Sequence, residues 1–99
     1  MTEQQTMKAH KIAEHYGKAK QRMLAVQELS ELILVISRRP DQKLNRAEYL
    51  DSLIDEMADN LIMIEQMRQL YEINPIDIER RITEKLNRQL NRIEQEEQQ

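Results

Sequence analysis

The scarcity of turn-forming residues constrains this 99-residue chain more than any other feature. It contains one glycine, Gly17, and two prolines, Pro40 and Pro75, and it has no cysteine. A sheet needs frequent tight turns whereas long helices need few, so the composition favours an all-α fold. We expect a single domain over residues 1–99, with a frayed tail at residues 94–99.

Gly17 and Pro40 divide the first half of the chain into two predicted helices. The first extends over residues 2–16, and the second extends over residues 18–39. Glycine weakens a helix, and proline disfavours helical geometry at the residue before it. The sequence therefore predicts that two helices meet at Gly17 and that a loop begins near Pro40.

Cap motifs mark two further helices, which brings the expected number to four. Asn45, with Glu48 three positions later, has the pattern of an N-cap with its capping-box partner and opens a helix that extends to about Ile73. Asn74 and Pro75 then form an N-cap followed by a first-turn proline. The fourth helix carries one apolar stripe: Ile78, Ile82, Leu86, Leu90 and Ile93.

The third helix is apolar on two sides. One stripe contains Leu50, Ile54, Met57, Leu61 and Ile64, and the other contains Tyr49, Leu53, Met63 and Met67. A single neighbouring helix covers one stripe, and so short a chain struggles to bury a large core of its own. We expect a helical bundle completed by oligomerisation, as a homodimer or homotetramer. The alternative is an ordinary monomeric bundle.

Charge and hydropathy exclude two classes of partner. The net charge of −3, with 33% charged residues, lacks the basic excess of a phosphate-backbone binder, so nucleic acid is not expected. The longest uncharged apolar stretch, residues 32–36, is far shorter than the roughly 20 residues that span a bilayer. We therefore expect no membrane partner and a cytoplasmic location.

Two pairs of acidic residues lie on helix faces that are otherwise partly apolar. Glu28 and Glu31 share a face of the second helix with leucine and valine, and Glu56 and Asp59 share a face of the third with leucine and methionine. Each pair is spaced i, i+3, which places its side chains about 5–6 Å apart. Because a short connection joins the two helices, we expect the four carboxylates to meet.

Four neighbouring carboxylates repel one another and lose hydration, so such a cluster needs a cation or bound protons. No histidine or cysteine accompanies it in the sequence, and an all-oxygen ligand set selects Mg²⁺ or Mn²⁺, which also take phosphate oxygens. One interpretation is a metal site with a phosphate-bearing substrate. The other is solvated surface, because each acidic pair alone is commonplace in helices.

The acidic motifs resemble those of the all-α nucleotide pyrophosphatases of the MazG and dimeric dUTPase group. In that group Glu-x-x-Glu is followed, after a variable interval, by Glu-x-x-Asp. Here Glu28-Leu-Ser-Glu31 and Glu56-Met-Ala-Asp59 are separated by 24 residues. The surroundings are similar to the MazG branch, notably a His-Tyr-Gly tripeptide at 15–17, and the resemblance extends from about residue 14 to residue 92.

The resemblance implies Mg²⁺-dependent hydrolysis of a nucleoside triphosphate to the monophosphate and pyrophosphate, for house-cleaning or control of the nucleotide pool. It implies that Glu28, Glu31, Glu56 and Asp59 hold the metal, and Glu31 is the favoured general base. Many relatives carry an acid where this chain has Gln27, a change that leaves the ligand Glu28 in place. The alternatives are a non-catalytic dimerisation or adaptor module and a nucleotide sensor without turnover.

Basic and amide side chains outside the acidic motifs are the expected substrate contacts. The resemblance favours Lys85 and Arg88 of the fourth helix as a clamp on the triphosphate, and Gln21 as a nucleotide contact. The fourth helix carries a basic stripe formed by Arg81, Lys85, Arg88 and Arg92. In the alternative interpretation, the i, i+4 pairs Asp77–Arg81 and Glu84–Arg88 are solvated ion pairs, and this basic stripe is only a hydrated face. Gln21 would then serve a buried structural contact.

Overall fold

The computed structural model describes residues 1–38 and 45–98, and over these ranges the chain is helical with no strand. The helices are α1 (Glu3–Ser37), α2 (Arg46–Leu70) and α3 (Pro75–Glu97). The predicted all-α class is therefore confirmed. None of the three combines the length and the apolar character that a membrane crossing requires.

α1 joins the first two predicted helices across a kink at Gly17, the residue at which they were expected to meet, so the described chain has three helices and not the four expected. Its start is closed by a capping box, in which the Thr2 hydroxyl accepts from the Gln5 N–H at 3.1 Å and the Gln5 side chain accepts from the Thr2 N–H at 2.7 Å. Gly17 has φ 82° and ψ 170°, a region that glycine enters without a Cβ penalty. Only this residue leaves helical geometry, so α1 bends there without a connecting loop.

The caps of the other two helices are confirmed. The Asn45 side chain accepts a hydrogen bond from the Glu48 N–H at 2.9 Å, and the Asn74 side chain accepts one from the Ile76 N–H at 3.0 Å. Pro75 is the first residue of α3. Each cap satisfies a backbone donor that has no partner inside its own helix.

The helix ends differ slightly from the expected ones. α2 ends at Leu70, three residues before Ile73, because the chain turns there and the Arg68 guanidinium donates to the Ile73 carbonyl at 2.9 Å. The break expected at Pro40 lies outside the described residues.

The core lies between α1 and α2, which pack against each other. Its buried apolar side chains are mostly small: Ala9, Ala13, Ala25, Val35 and Met63. Three side-chain amides are buried with them: Gln21, Asn60 and Gln66. The helix pair thus buries little apolar volume.

α3 extends away from this pair and packs closely against neither α1 nor α2. None of its described residues is buried. Its stripe from Ile82 to Ile93 has the predicted amphipathic pattern, but the large apolar side chains on it remain 49–63% exposed. The Cα radius of gyration is 17.2 Å, whereas a compact domain of this length has about 13 Å.

Candidate metal centre

α1 and α2 bring three of the four predicted carboxylates together. Glu28 lies on α1, and Glu56 and Asp59 lie one turn apart on α2. One carboxylate oxygen from each residue lies within 4.8 Å of the other two, and all three side chains are half-buried. Opposite coordination positions around Mg²⁺ are about 4 Å apart, since Mg–O distances are about 2.0–2.1 Å. This geometry therefore suits a small cation bound between the helices.

Glu31, the fourth predicted ligand, lies beside this group of three and not within it. It borders an open cavity of about 210 Å³ together with Ser52, Asp55 and Glu56. Its carboxylate is close enough for its charge to raise the pKa of Glu28. Glu31 lies one helical turn after Glu28 on α1 and therefore belongs to the same polar site.

Burial and mutual repulsion act on the carboxyls of the cluster. Loss of hydration, followed by the charges of Glu31 and Asp59, raises the pKa of Glu28 to about 7. The pKa of Glu56 is also raised, first by loss of hydration and then by the charges of Glu31 and Asp59. Both shifts have the direction expected of like charges held together in a poorly hydrated site.

Two oxygens of the cluster are buried and have no hydrogen-bond partner: Oε2 of Glu28 and Oε2 of Glu56. Buried acceptors are nearly always satisfied, so an unpaired pair of carboxylate oxygens is costly. The ion pairs among the described residues lie elsewhere on α1 and α2 and do not neutralise the cluster. A divalent cation held by the three carboxylates would offset the repulsion among them.

We expect the metal-free protein to lose stability as the pH rises from about 5 to 7. The pKa of Glu28 is about 7 in the folded state and 4.5 ordinarily, so between these values the folded state binds more protons than the unfolded state. The free energy of unfolding then falls with rising pH and levels off above about pH 7. Glu56 acts in the same direction.

Thermal unfolding in a chelator at pH 5, 6, 7 and 8 measures this dependence. Glu28→Gln should flatten the profile, because the titrating carboxyl is gone. A wild-type protein that becomes more stable between pH 5 and pH 8 without metal would contradict the arrangement of the cluster.

The sequence does not predict a role for Asn60 in the site, although Asn60 follows Asp59 directly. Asn60 is 3% exposed, and its Nδ2 donates to two backbone carbonyls: that of Glu28 at 3.0 Å and that of Glu56 at 2.7 Å. The only sequence signal was its place one turn after Glu56 on the acidic face. Its partner on α1 depends on how the two helices align, which the pattern of one helix does not reveal.

Gln21, the predicted nucleotide contact, is 1% exposed in the core between α1 and α2. Its Oε1 is buried and has no hydrogen-bond partner. In this single chain the side chain is therefore closed off from solvent, an arrangement that suits the structural interpretation of Gln21 better than direct contact with a substrate.

Lys85 and Arg88 are exposed on α3, and neither forms an ion pair with another described residue. The pairs Asp77–Arg81 and Glu84–Arg88, expected at i, i+4, are also absent from the ion pairs of the described chain. α3 does not pack closely along α1 or α2, and none of the ion pairs of the described residues joins it to the carboxylate cluster.

No protein-family model, curated protein or solved structure matches this chain. The site offers three carboxylate oxygens from two helices, with a fourth carboxylate beside them and an open cavity next to it. Such a site can bind a hard divalent cation and, through it, the oxygens of a phosphate group.

Proposed function

We propose that the protein is a Mg²⁺-dependent hydrolase that converts a nucleoside triphosphate into the monophosphate and pyrophosphate. The observation that carries the proposal is the meeting of Glu28, Glu56 and Asp59, with two buried carboxylate oxygens left unpaired. An all-oxygen site of this kind favours Mg²⁺ or Mn²⁺. The choice of a nucleoside triphosphate rests on the resemblance to the MazG-like pyrophosphohydrolases.

The roles of the chain's own carboxylates follow from their positions. Glu28, Glu56 and Asp59 would hold the metal, which when bound lowers the pKa of a coordinated water and neutralises charge on the leaving group. Glu31, outside the group of three, would accept the proton of the water that attacks the α-phosphorus. The bond from the α-phosphorus to the bridging oxygen breaks, and pyrophosphate leaves.

A panel of the eight common ribo- and deoxyribonucleoside triphosphates, assayed for pyrophosphate with and without Mg²⁺, tests the proposal. The enzyme releases pyrophosphate and not orthophosphate, and only with the metal. An adaptor module would release neither product and would gain no stability from nucleotides. A nucleotide sensor would be stabilised by a nucleotide without forming product.

We also propose that the chain functions as a homo-oligomer. α2 places one apolar stripe against α1 and leaves the other uncovered, with its large side chains 40–66% exposed: Leu50, Ile54, Met57, Leu61 and Ile64. The accessible surface of the chain is 8442 Å², whereas a compact monomer of this mass has about 5,900 Å². The chain thus exposes about 2,500 Å² more surface than a compact monomer. This excess is about three times the area that one partner buries in an interface of standard size.

Light scattering coupled to size exclusion is expected to give at least twice the chain mass at micromolar concentration. The physical reason is the two uncovered apolar stripes, one on α2 and one on α3. Ile54→Glu, at the centre of the α2 stripe, should shift the protein toward monomer, and Gln4→Glu at an exposed position of α1 serves as a control with the same change of charge. A well-folded wild-type monomer would remove this proposal.

Oligomerisation would also explain how Lys85 and Arg88 reach a substrate. They form no ion pair with the carboxylates of the described chain, and α3 has no buried residue. We propose that α3 packs against a second copy with its basic residues beside the carboxylate cluster of that copy. The proposed clamp is therefore a contribution of one subunit to the site of its partner.

A further inference from the structure

Asn60 stands out because a single buried amide joins both helices of the candidate metal centre. Its Nδ2 donates to the Glu28 carbonyl on α1 at 3.0 Å and to the Glu56 carbonyl on α2 at 2.7 Å. Both carbonyls belong to residues whose carboxylates are in the cluster. The amide therefore acts on the backbone positions from which two of the three candidate ligands extend.

Burying the Asn60 amide costs folding free energy that packing alone does not repay. Asparagine is a weaker helix former than leucine, and Asn60 is 3% exposed with its Oδ1 buried and unpartnered. A leucine of similar volume would fill the same space without burying an unsatisfied acceptor. The two hydrogen bonds that the amide donates therefore explain why a polar side chain occupies this position.

We infer that Asn60 is a positioning residue, which ties the Glu28 backbone to the Glu56 backbone and so sets the spacing of the carboxylates for the cation. The inference rests on the proposed metal site. A shift of one residue along a helix is about 1.5 Å, and Mg²⁺ tolerates little deviation from octahedral ligands at about 2.0–2.1 Å. A hydrogen-bonded link between α1 and α2 beside the carboxylates therefore favours Mg²⁺ over larger, more adaptable cations.

Gln66 provides a matched control within the same pair of helices. It is 2% exposed, and its Nε2 donates to the Ala9 carbonyl of α1 at 3.1 Å. The bond type and burial are therefore the same as for Asn60. Gln66 lies ten residues beyond Glu56, which is about 15 Å along α2.

Titration calorimetry of the metal-free full-length protein with Mg²⁺, and separately with Ca²⁺, tests the inference. Asn60→Leu removes both bonds, whereas Asn60→Ser keeps a hydroxyl that bonds within its own helix but does not reach α1. Each should weaken Mg²⁺ binding about tenfold, as for other residues that orient ligands, and Ca²⁺ binding much less. Gln66→Met removes the matched bond to α1 and should change neither affinity.

If Asn60→Ser and Asn60→Leu bind Mg²⁺ as the wild type does, or if Gln66→Met loses affinity equally, Asn60 has only a structural role and the inference is overturned. Both results leave the proposed function standing. A wild-type protein that binds neither cation would overturn the proposed function and the inference together.

Discussion

Glu31→Gln is expected to abolish most nucleotide hydrolysis while making the metal-free protein more stable. The charge of Glu31 raises the pKa of Glu28 and that of Glu56, so its removal relieves repulsion in the cluster and should raise the melting temperature. If Glu31 is the general base, turnover should fall about a hundredfold or more. Opposite effects on stability and activity are typical of a residue retained for function.

Melting curves in a chelator and pyrophosphate release in Mg²⁺ measure the two effects on the same preparations. Asp51→Asn is the matched control, since it removes one negative charge from an exposed position on α2. It should change neither quantity appreciably. A Glu31→Gln protein that melts lower without metal and retains its turnover would contradict the assignment.

Lys85→Ala and Arg88→Ala are expected to lower kcat/KM ten- to a hundredfold each with almost no change in melting temperature. Both side chains are exposed and form no ion pair in the described chain, so truncation leaves the fold intact. A charge-assisted contact to a phosphate is worth about 1.5–3 kcal/mol, which gives this loss of catalytic efficiency. Arg81→Ala and Arg92→Ala, on the same helix, should stay near wild type.

If all four substitutions behave alike, the basic stripe is a hydrated face and the clamp assignment fails.

Mixing two inactive variants tests separately whether one subunit contributes the clamp to the site of its partner. In a dimer with shared sites, an equal mixture of Glu31→Gln and Arg88→Ala chains that exchange subunits should recover about a quarter of wild-type activity, because half of the dimers carry one intact site. No recovery after subunit exchange would place the clamp within one chain.

Local chemistry explains which parts of the fold were predictable. The caps at Asn45 and Asn74 depend on side chains that bond to the backbone two or three residues away, so the sequence alone located both helix starts. Helical periodicity likewise placed Glu28, Glu56 and Asp59 on faces that meet.

The remaining features depend on how the helices pack. Gly17 identified the break in α1 but not the direction in which the chain continues after it. Amphipathicity identified the apolar stripe of α3 but not what covers it. Glu31 lies outside the group of three because the register between α1 and α2, fixed in part by Asn60, sets which carboxylates meet.

Product analysis by ³¹P NMR in ¹⁸O-labelled water tests the proposed chemistry most directly. The purified protein is incubated with Mg²⁺ and the mixed nucleoside triphosphates, and a chelator-treated sample serves as control. Attack of water on the α-phosphorus puts the label in the nucleoside monophosphate and leaves the pyrophosphate unlabelled, and we expect this result only with Mg²⁺ present. Formation of the nucleoside diphosphate and orthophosphate would contradict the proposed function. Label in the pyrophosphate, or no product from any nucleotide, would contradict it as well.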